Sequence, residues 1–506
     1  MGSYSISLNA RILPIRAGKP VAILSAEKAR ELGIMTLDRI EIFNPREKKR
    51  CVAIVDIAKT FVSDKEIGLF EDLWEELKVI DNEQLLVRAI ERPKSVEYIK
   101  KKILGGALTE AEIRSIVNDI DKNRISDVEA GAFLSAVYIH GYNMEETIAM
   151  TKAIIENGKR IKFGVGPIVD KHSIGGTNGR ATMVIVPIVA AAGIYIPKTS
   201  SRSITSAAGT ADAMEVLANV CLSDVEIKEI TKKVGGVIAW GGALNLAPVD
   251  EKIISIEYPL SLNPQGQIIA SVLAKKASVG SQYVVIDIPI GKGLKIENKG
   301  DAEIMAGKFI DVGKKLGMHI EVVITDGNQP CGPAFGPALE AKHAMEILEG
   351  KRFDNLAQKS CELAGVLFEL TGKAKSGKGT ELAKKILQSG KALKKMKEII
   401  KAQKGTIFKS ADIELAEYKA DVISKKDGIV SHINIRRLTN IARAAGAPYN
   451  KKAGVLLSVE PGDRIRKKAK LYQIYAENEC KLKAALREAC ADNGIELGKI
   501  IIKKIE

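Results

Sequence analysis

The sequence predicts a multidomain α/β protein with an N-terminal small β-barrel, a small helical bundle, a large α/β domain with a mostly parallel sheet, and a C-terminal α+β domain. Three observations lead there. A chain of 506 residues is too long for one hydrophobic core, since single cores stop growing beyond about 250–300 residues. The apolar period changes along the chain, from strand-like alternation at the start, to helical spacing after Ser95, and back to alternation after about Ala420. Between these lies Val165 to Val220, which reads strand, glycine-rich turn, apolar helix, strand, Ser/Thr/Gly-rich turn, helix, the order expected of a parallel sheet with crossover helices. The expected divisions are 1–86 for the barrel, 87–160 for the bundle, rejoined by about 245–280, then 161–244 with 281–410 for the α/β domain, and 411–506 for the last.

In residues 1–86 the alternating stretches are SISLNARIL, PVAIL, RIEIF, CVAIVDIA and QLLVRAI. A short helix is predicted over Ser25 to Leu32, because SAEKA puts a hydroxyl at an N-cap. This module holds no catalytic cluster, and its expected role is association into a homodimer or larger homo-oligomer. After Ser95 come SVEYIKKKILGG, LTEAEIRSIVNDIDKN, ISDVEAGAFLSAVYIHG and NMEETIAMTKAIIENG, four short helices. Thr109 and Ser126 stand immediately before two of them as capping hydroxyls. Tyr138, His140 and Tyr142 are read as structural.

In the central stretch the apolar helix is expected over Thr182 to Ala192, its flanking strand over Ile194 to Thr199, and the next helix from Thr210. A strand at Val234 to Trp240 precedes a helical segment ending in LAKKAS, and VVIDIP is a buried-strand pattern. Asn328 to Pro337 reads as a Pro/Gly-rich loop without regular structure. Residues 338–405 are Lys-rich helices; GKAKSGKGT within them lacks the order and the preceding strand of a nucleotide P-loop. From about Ala420, ADVISKKDGIVSHI, GVLLSVEPGDRI and AKLYQIYA are strands, followed by a helix KLKAALREACADN and a final strand.

The formal charge of +15 is dispersed, with 77 Lys and Arg among 62 acids and only 5% aromatic residues. No recognition-module signature accompanies it, so no nucleic acid is expected, and the charge suits anionic small molecules. Six scattered cysteines without CxxC or Cys/His spacing imply a reduced, cytoplasmic setting and no structural metal. No stretch of about 20 apolar residues is present, and no membrane partner is expected.

The chemistry is expected where the two turns of Val165 to Val220 lie side by side. At the carboxyl ends of neighbouring parallel strands, backbone N–H groups and helix N-termini form an anion site. Lys171 supplies charge, Ser173, Thr182, Ser200 and Thr210 supply hydroxyls, and Gly175, Gly176 and Gly209 admit a ligand close to the backbone. Lysine, hydroxyls and amides without an accompanying carboxylate cluster are what a phosphate group needs.

KHSIGG, YIPKTSSRSITSAAGTAD and TDGNQPCGPAFGPALEA resemble the thymidine/pyrimidine-nucleoside phosphorylase family, and SSRSITSAAGT resembles its archaeal AMP-phosphorylase branch. The resemblance covers nearly the whole chain. It implies attack of a phosphate oxygen on the anomeric carbon of a nucleoside or nucleotide, with the base leaving. It assigns phosphate to Lys171, Ser173, Thr182, Ser200 and Thr210. The nucleotide falls to Gly175, Ser201, Arg202, Ser203, Ile204, Thr205, Ser206, Thr210, Ser271, Lys275 and Lys295. No cofactor is implied, inorganic phosphate being a co-substrate, and the cationic loop takes the place of a metal.

Three departures bear on the substrate and its proton donor. Pyrimidine-nucleoside members carry an arginine where this chain has Ile256, and an aromatic where it has Lys295; with the hydroxyl-rich 201–206 turn beside Arg202, both changes favour a nucleotide over a nucleoside. The AMP-phosphorylase branch has an aspartic acid as proton donor where this chain has Asn263, which can hydrogen-bond a purine but not protonate it. His172, within the phosphate loop, is a second candidate for proton transfer. The expected reaction is phosphorolysis of AMP to adenine and ribose 1,5-bisphosphate, with CMP and UMP as further substrates; a pyrimidine-nucleoside phosphorylase and a non-catalytic nucleotide-binding assembly protein are the alternatives.

Overall fold

The computed structural model describes residues 5–90, 92–175, 178–203, 206–244, 246–260 and 262–498. Its chain forms two compact units, Met1–Asn157 with Pro248–Ala270, and Gly158–Ala247 with Ser271–Glu506.

The first unit opens with β1 (Ile6–Ile12), β2 (Val21–Ser25), α1 (Ala26–Glu31), β3 (Arg39–Asn44), β4 (Lys49–Ala58), β5 (Glu66–Leu69), α2 (Glu71–Leu77) and β6 (Gln84–Ala89). The strands close into a barrel in the order β1-β5-β2-β4-β3-β6, with β1–β5 and β2–β4 parallel. Alternation puts Leu8, Leu24, Ile40, Ile42, Val55 and Leu85 into its core. The Ser25 side chain accepts from the Lys28 amide and starts α1. Sequence patterning shows no sign of β5 and α2: a four-residue strand containing glycine has no visible period, and its burial comes from parallel pairing with the distant β1.

Four helices follow, α3 (Ser95–Ile103), α4 (Glu110–Asp121), α5 (Asp127–His140) and α6 (Met144–Glu156). Capping boxes begin α4 at Thr109, α5 at Ser126 and α6 at Asn143. Lys102 and Glu146 form a buried pair at 2.8 Å between α3 and α6. Arg39 of the barrel meets Glu129 of α5 at 2.6 Å, so barrel and bundle are tied by an ion pair.

The second unit contains β7 (Val169–Ser173), α7 (Thr182–Ala191), β8 (Ile196–Ser200), α8 (Thr210–Glu215), α9 (Asp224–Val234) and β9 (Gly236–Trp240). The chain then passes through α10 (Pro248–Glu257) and into α11 (Gln265–Ser278), the first lying in the other unit and the second shared by sequence between both. It continues with β10 (Tyr283–Ile290), α12 (Lys299–Lys315), β11 (His319–Asp326), β12 (Ala334–Phe335), α13 (Pro337–Leu348), α14 (Asn355–Leu370), α15 (Gly379–Gln388) and α16 (Lys391–Ala402). Strands β11, β10 and β7 form one parallel sheet and β8 and β9 another, joined by a parallel bridge from Ile168 to Tyr195. Helix α7 is apolar all round and buried from Thr182 to Ala190, at the centre of the largest core cluster.

The chain ends in β13 (Tyr418–Ile423), β14 (Gly428–Ile433), α17 (Ile435–Ala444), β15 (Gly454–Leu457), β16 (Arg464–Ile465), β17 (Lys470–Ala476), α18 (Glu479–Ala491) and β18 (Ile495–Gly498). One sheet runs β12-β15-β17-β13 and a second runs β16-β14-β18. One expectation is corrected. The Asn328 to Pro337 segment is not wholly irregular: Ala334 and Phe335 pair with Leu456 and Val455 and become an edge of the C-terminal sheet, which two residues between glycines and prolines do not announce. The stretch IRRLTNIARA, for which no element was expected, is helix α17, with Leu438, Ile441 and Ala442 buried on one face.

Candidate active site

Strand β7 is where the sheet reverses. From it the chain runs to β8 and β9 on one side, then returns to β10 and β11 on the other. The carboxyl end of the strand at such a switch point opens into a crevice, and in an α/β sheet that is where ligands bind. The residues there are Asp170, Lys171, His172 and Ser173.

Alternation sends them to two faces. On one, the buried Asp170 carboxylate pairs with Lys276 of α11 at 2.7 Å and with Lys198 of β8 at 3.4 Å, and it accepts from the Lys171 amide at 2.7 Å. Burial works against that carboxylate, but the Lys198 and Lys276 ammoniums outweigh it and hold Asp170 below its usual range. Burial, first, and the neighbouring Lys276 ammonium lower Lys198 to about 7 against the pull of Asp170. His172 shares this face. Burial and then the charges of Lys276, Lys198, Lys171 and Lys275 keep its imidazole well below the ordinary value, so at neutral pH it is uncharged, one ring nitrogen a donor and the other an acceptor.

On the other face, Lys171 and Ser173 look toward β10. The Ser173 hydroxyl donates to Asp287 Oδ2 at 2.6 Å, Thr325 donates to Asp287 Oδ1 at 2.6 Å, and Lys359 of α14 lies 3.2 Å from the same carboxylate. Lys171 is 2% exposed, and burial lowers its ammonium to about 8 although Asp287 pulls it up. Here the expectation of lysine and hydroxyls without a carboxylate cluster needs correcting. Asp170 and Asp287 are both present, each already neutralised by its own lysine, and Lys171 adds a further buried charge.

The second turn follows β8. Ser200 ends the strand half-buried, Ser201 is exposed, and Arg202 lies 4.4 Å over the ring of Trp240 while donating to Glu215. Asp212, three residues into α8, accepts from the Ser203 and Gly209 amides at 2.7 and 2.9 Å. Ser203 and Ser206 bond through their hydroxyls at 3.1 Å. Gly209 is required by space: a Cβ there would stand 2.6 Å from the Ser201 carbonyl oxygen. Thr210 and Thr182 are buried at the first positions of α8 and α7. Gly176, Ile204 and Thr205 lie outside the described residues.

Gly175 has a φ of +84°, and a Cβ placed on it would meet the Lys295 side chain at 3.6 Å, so that lysine lies against the turn after β7. Ser271 and Lys275, one helical turn apart on α11, share a half-buried face in the same unit. Asn263 and Ile256 belong to the other unit; Asn263 is exposed ahead of α11, and Ile256 lies on α10 within reach of Gly131 of α5. Sequence reasoning missed Asp170, Lys198, Lys276, Asp287 and Lys359. Asp170, Lys198 and Asp287 had a signal, since a charged residue inside an apolar strand needs a buried partner. Lys359, on a helix among many lysines, had none.

Among the described residues, no cluster of His, Cys, Asp and Glu is arranged to hold a metal ion, and no helix is long and apolar enough to cross a membrane. Comparison with known proteins agrees with this layout. Residues 96–158 match the helical bundle domain of a glycosyl transferase family, 165–393 its a/b domain, and 429–496 the C-terminal domain of pyrimidine nucleoside phosphorylases. An AMP phosphorylase from Methanococcus aeolicus is 44% identical over 98% of this chain and 99% of its own. AMP phosphorylase 1 of Archaeoglobus fulgidus is 45% identical over 97% of each, and the Methanosarcina mazei AMP phosphorylase 44% over 97% of each. The chain belongs to the AMP phosphorylase family. It is thus an enzyme of the pentosyltransferase type. Among solved structures, anthranilate phosphoribosyltransferase from Thermus thermophilus matches with a TM-score of 0.52 at 21% identity, over 61% of this chain and 99% of that one; at that identity the likeness concerns the fold.

Proposed function

We propose that this chain catalyses phosphorolysis of nucleoside 5′-monophosphates, AMP before CMP and UMP, giving the free base and ribose 1,5-bisphosphate. The observation that carries the reading is the charge balance at the switch point: Lys171, Lys198, Lys276 and Lys359 stand against Asp170 and Asp287, an excess of cations where β7 ends. An inorganic phosphate placed there is met by these ammoniums. In this reading Lys171, Ser173, Thr182, Ser200 and Thr210 hold the phosphate. Ser173 turns its proton from Asp287 to the phosphate, while Lys359 and Thr325 keep that carboxylate satisfied. The 201–206 turn with Gly175, Ser271, Lys275 and Lys295 takes the nucleotide.

A phosphate oxygen forms the bond to the anomeric carbon as the glycosidic bond breaks, and the electron pair leaves on the base. The base then gains one proton. Asn263 can stabilise the departing purine by a hydrogen bond only, and neutral His172 can pass a proton along a chain without carrying charge. Replacing Asn263 by Asp is therefore expected to raise AMP turnover, more at acidic than at alkaline pH, and to change CMP turnover less. Equal or lower AMP turnover with intact binding rejects the acid's position. The six free cysteines fit a cytoplasmic enzyme, and the N-terminal barrel, which holds none of the proposed site residues, is proposed as the surface of self-association.

The deciding assay follows base release from AMP, CMP, UMP and thymidine in the presence of phosphate. Cleavage of thymidine with none of AMP overturns the proposal in favour of a nucleoside phosphorylase. A tight AMP complex without turnover at any phosphate concentration favours a binding protein instead.

A further inference from the structure

The proposed nucleotide turn is held by a lysine from the far end of the chain. Lys451, in the segment between α17 and β15, places its ammonium 2.9 Å from Asp212 Oδ1 and 2.8 Å from Glu215 Oε2. The other oxygen of Asp212 receives the Ser203 and Gly209 amides, and the other oxygen of Glu215 receives Arg202, which lies over Trp240. Arg443 of α17 adds a hydrogen bond to the Ser206 carbonyl at 3.2 Å. One ammonium thus meets both carboxylates on which the turn rests: Asp212 shapes its backbone, and Glu215 holds its arginine.

We propose that Lys451 is a positioning residue for nucleotide binding, which keeps Glu215 satisfied so that the Arg202 guanidinium can transfer to the 5′-phosphate. The inference rests on the reading of the 201–206 turn as the nucleotide site. Its physical core is an exchange of partners. An arriving phosphate must draw Arg202 away from Glu215, and a half-buried carboxylate left without a cation costs free energy. With Lys451 2.8 Å away, Glu215 retains a cation throughout, and the exchange becomes cheaper. Removing the lysine makes Glu215 compete with the nucleotide for Arg202.

The test uses four full-length variants, Lys451→Met, Glu215→Gln, both together, and Arg202→Gln, with KM measured separately for AMP and for phosphate. The chain has two tryptophans, Trp74 in the barrel and Trp240 under Arg202, so each variant is also made with Trp74→Phe to leave Trp240 emission as a direct signal of guanidinium movement. Lys451→Met is expected to raise KM for AMP about tenfold, the scale of one charge-assisted hydrogen bond, with KM for phosphate within about twofold. The AMP concentration that half-changes Trp240 emission is expected to rise in parallel. Adding Glu215→Gln to Lys451→Met is expected to restore the part of the affinity lost to competition, because the competing carboxylate is gone, while the contact to Asp212 stays broken. A further loss in the double variant, or equal losses for AMP and phosphate, overturns the inference and leaves Lys451 a packing residue. Should Lys451→Met fail to fold, Glu215→Gln alone decides: KM for AMP unchanged or lower supports the exchange, and a rise rejects it. If Arg202→Gln weakens AMP while Lys451→Met does not, the inference fails and the nucleotide reading stands; if Arg202→Gln has no effect on AMP, the reading itself fails.

Discussion

The turns after β7 and β8 open side by side and are held by opposite means. At β7 the charged groups are buried: Asp170 and Asp287 are fully buried, their lysines come from a strand and two helices, and the pairs are closed at 2.7 to 3.4 Å. After β8 three of the groups are partly exposed around a buried Asp212, with side-chain exposures of 37% for Arg202, 27% for Glu215 and 32% for Lys451. Two of their links, from Arg443 and Lys451, come from residues more than 200 positions further along the chain. A buried network fixes the electrostatic field at one place and cannot exchange partners without leaving a charge uncompensated. A half-exposed network can exchange, because water covers part of the cost. The first arrangement suits a small ion bound at one fixed point, the second a larger substrate that must displace an internal partner.

The strongest way to break this comparison is to remove a charge from the buried side. Asp170→Asn leaves the Lys198 and Lys276 ammoniums facing an amide, and loss of one partner from a buried ion pair costs about 3–5 kcal/mol. Denaturant unfolding is the measurement. Loss of less than about 1 kcal/mol, the range of a surface pair, means that the network is wetter than its burial implies.

A smaller effect is expected at Lys171, where the ammonium is proposed to meet the phosphate. Lys171→Met removes a charge that burial disfavours, so stability is expected to hold or rise slightly, while kcat/KM for phosphorolysis falls about 100- to 1000-fold, as for loss of one preorganised donor. Opposite outcomes at two adjacent residues of one strand separate a structural charge from a functional one. If Lys171→Met unfolds the protein and Asp170→Asn does not, the two roles are reversed.

How far the molecule was legible in its sequence follows the same division. Both turns, the parallel strands beside them and the hydroxyls at the starts of α7 and α8 are local patterns, visible in KHSIGGTNGRAT and SSRSITSAAGTAD because backbone geometry demands those residue types. Capped helices such as α4 and α5 were equally plain. What could not be seen is whatever depends on a partner distant in sequence. Asp287 meets Ser173 through strand order and Lys359 through the packing of α14, β12 joins the C-terminal sheet by pairing with β15, and Lys451 reaches the turn across more than 200 residues. Asp212 is the instructive middle case: AGTAD showed a helix start, but its second oxygen, turned to Lys451, serves a contact that no local period encodes.

The smallest expected effect sharpens the comparison by pH. Burial brings Lys171 down to about 8 from the ordinary 10.5, and a bound dianion restores its preference for the proton. Binding is then coupled to proton uptake: below about pH 8 the lysine is already charged and affinity does not depend on it, whereas above pH 8 affinity falls by at most about tenfold per unit. Phosphate itself titrates near neutrality, so the clean probe is sulfate as an inhibitor competing with phosphate, since it stays doubly charged throughout. Its inhibition constant is expected to be flat up to about pH 8 and to rise beyond, and in Lys171→Arg, whose guanidinium does not deprotonate, the rise is expected to disappear. Stability must respond with the opposite sign. Between about 8 and 10.5 the unfolded chain still binds the proton that folded Lys171 has released, so this group makes the protein more stable as pH rises while it makes the anion bind less well. Sulfate affinity that falls in wild type and in Lys171→Arg alike would assign the titration to another group, with Lys198 of the opposite face, held at about 7, the next to replace.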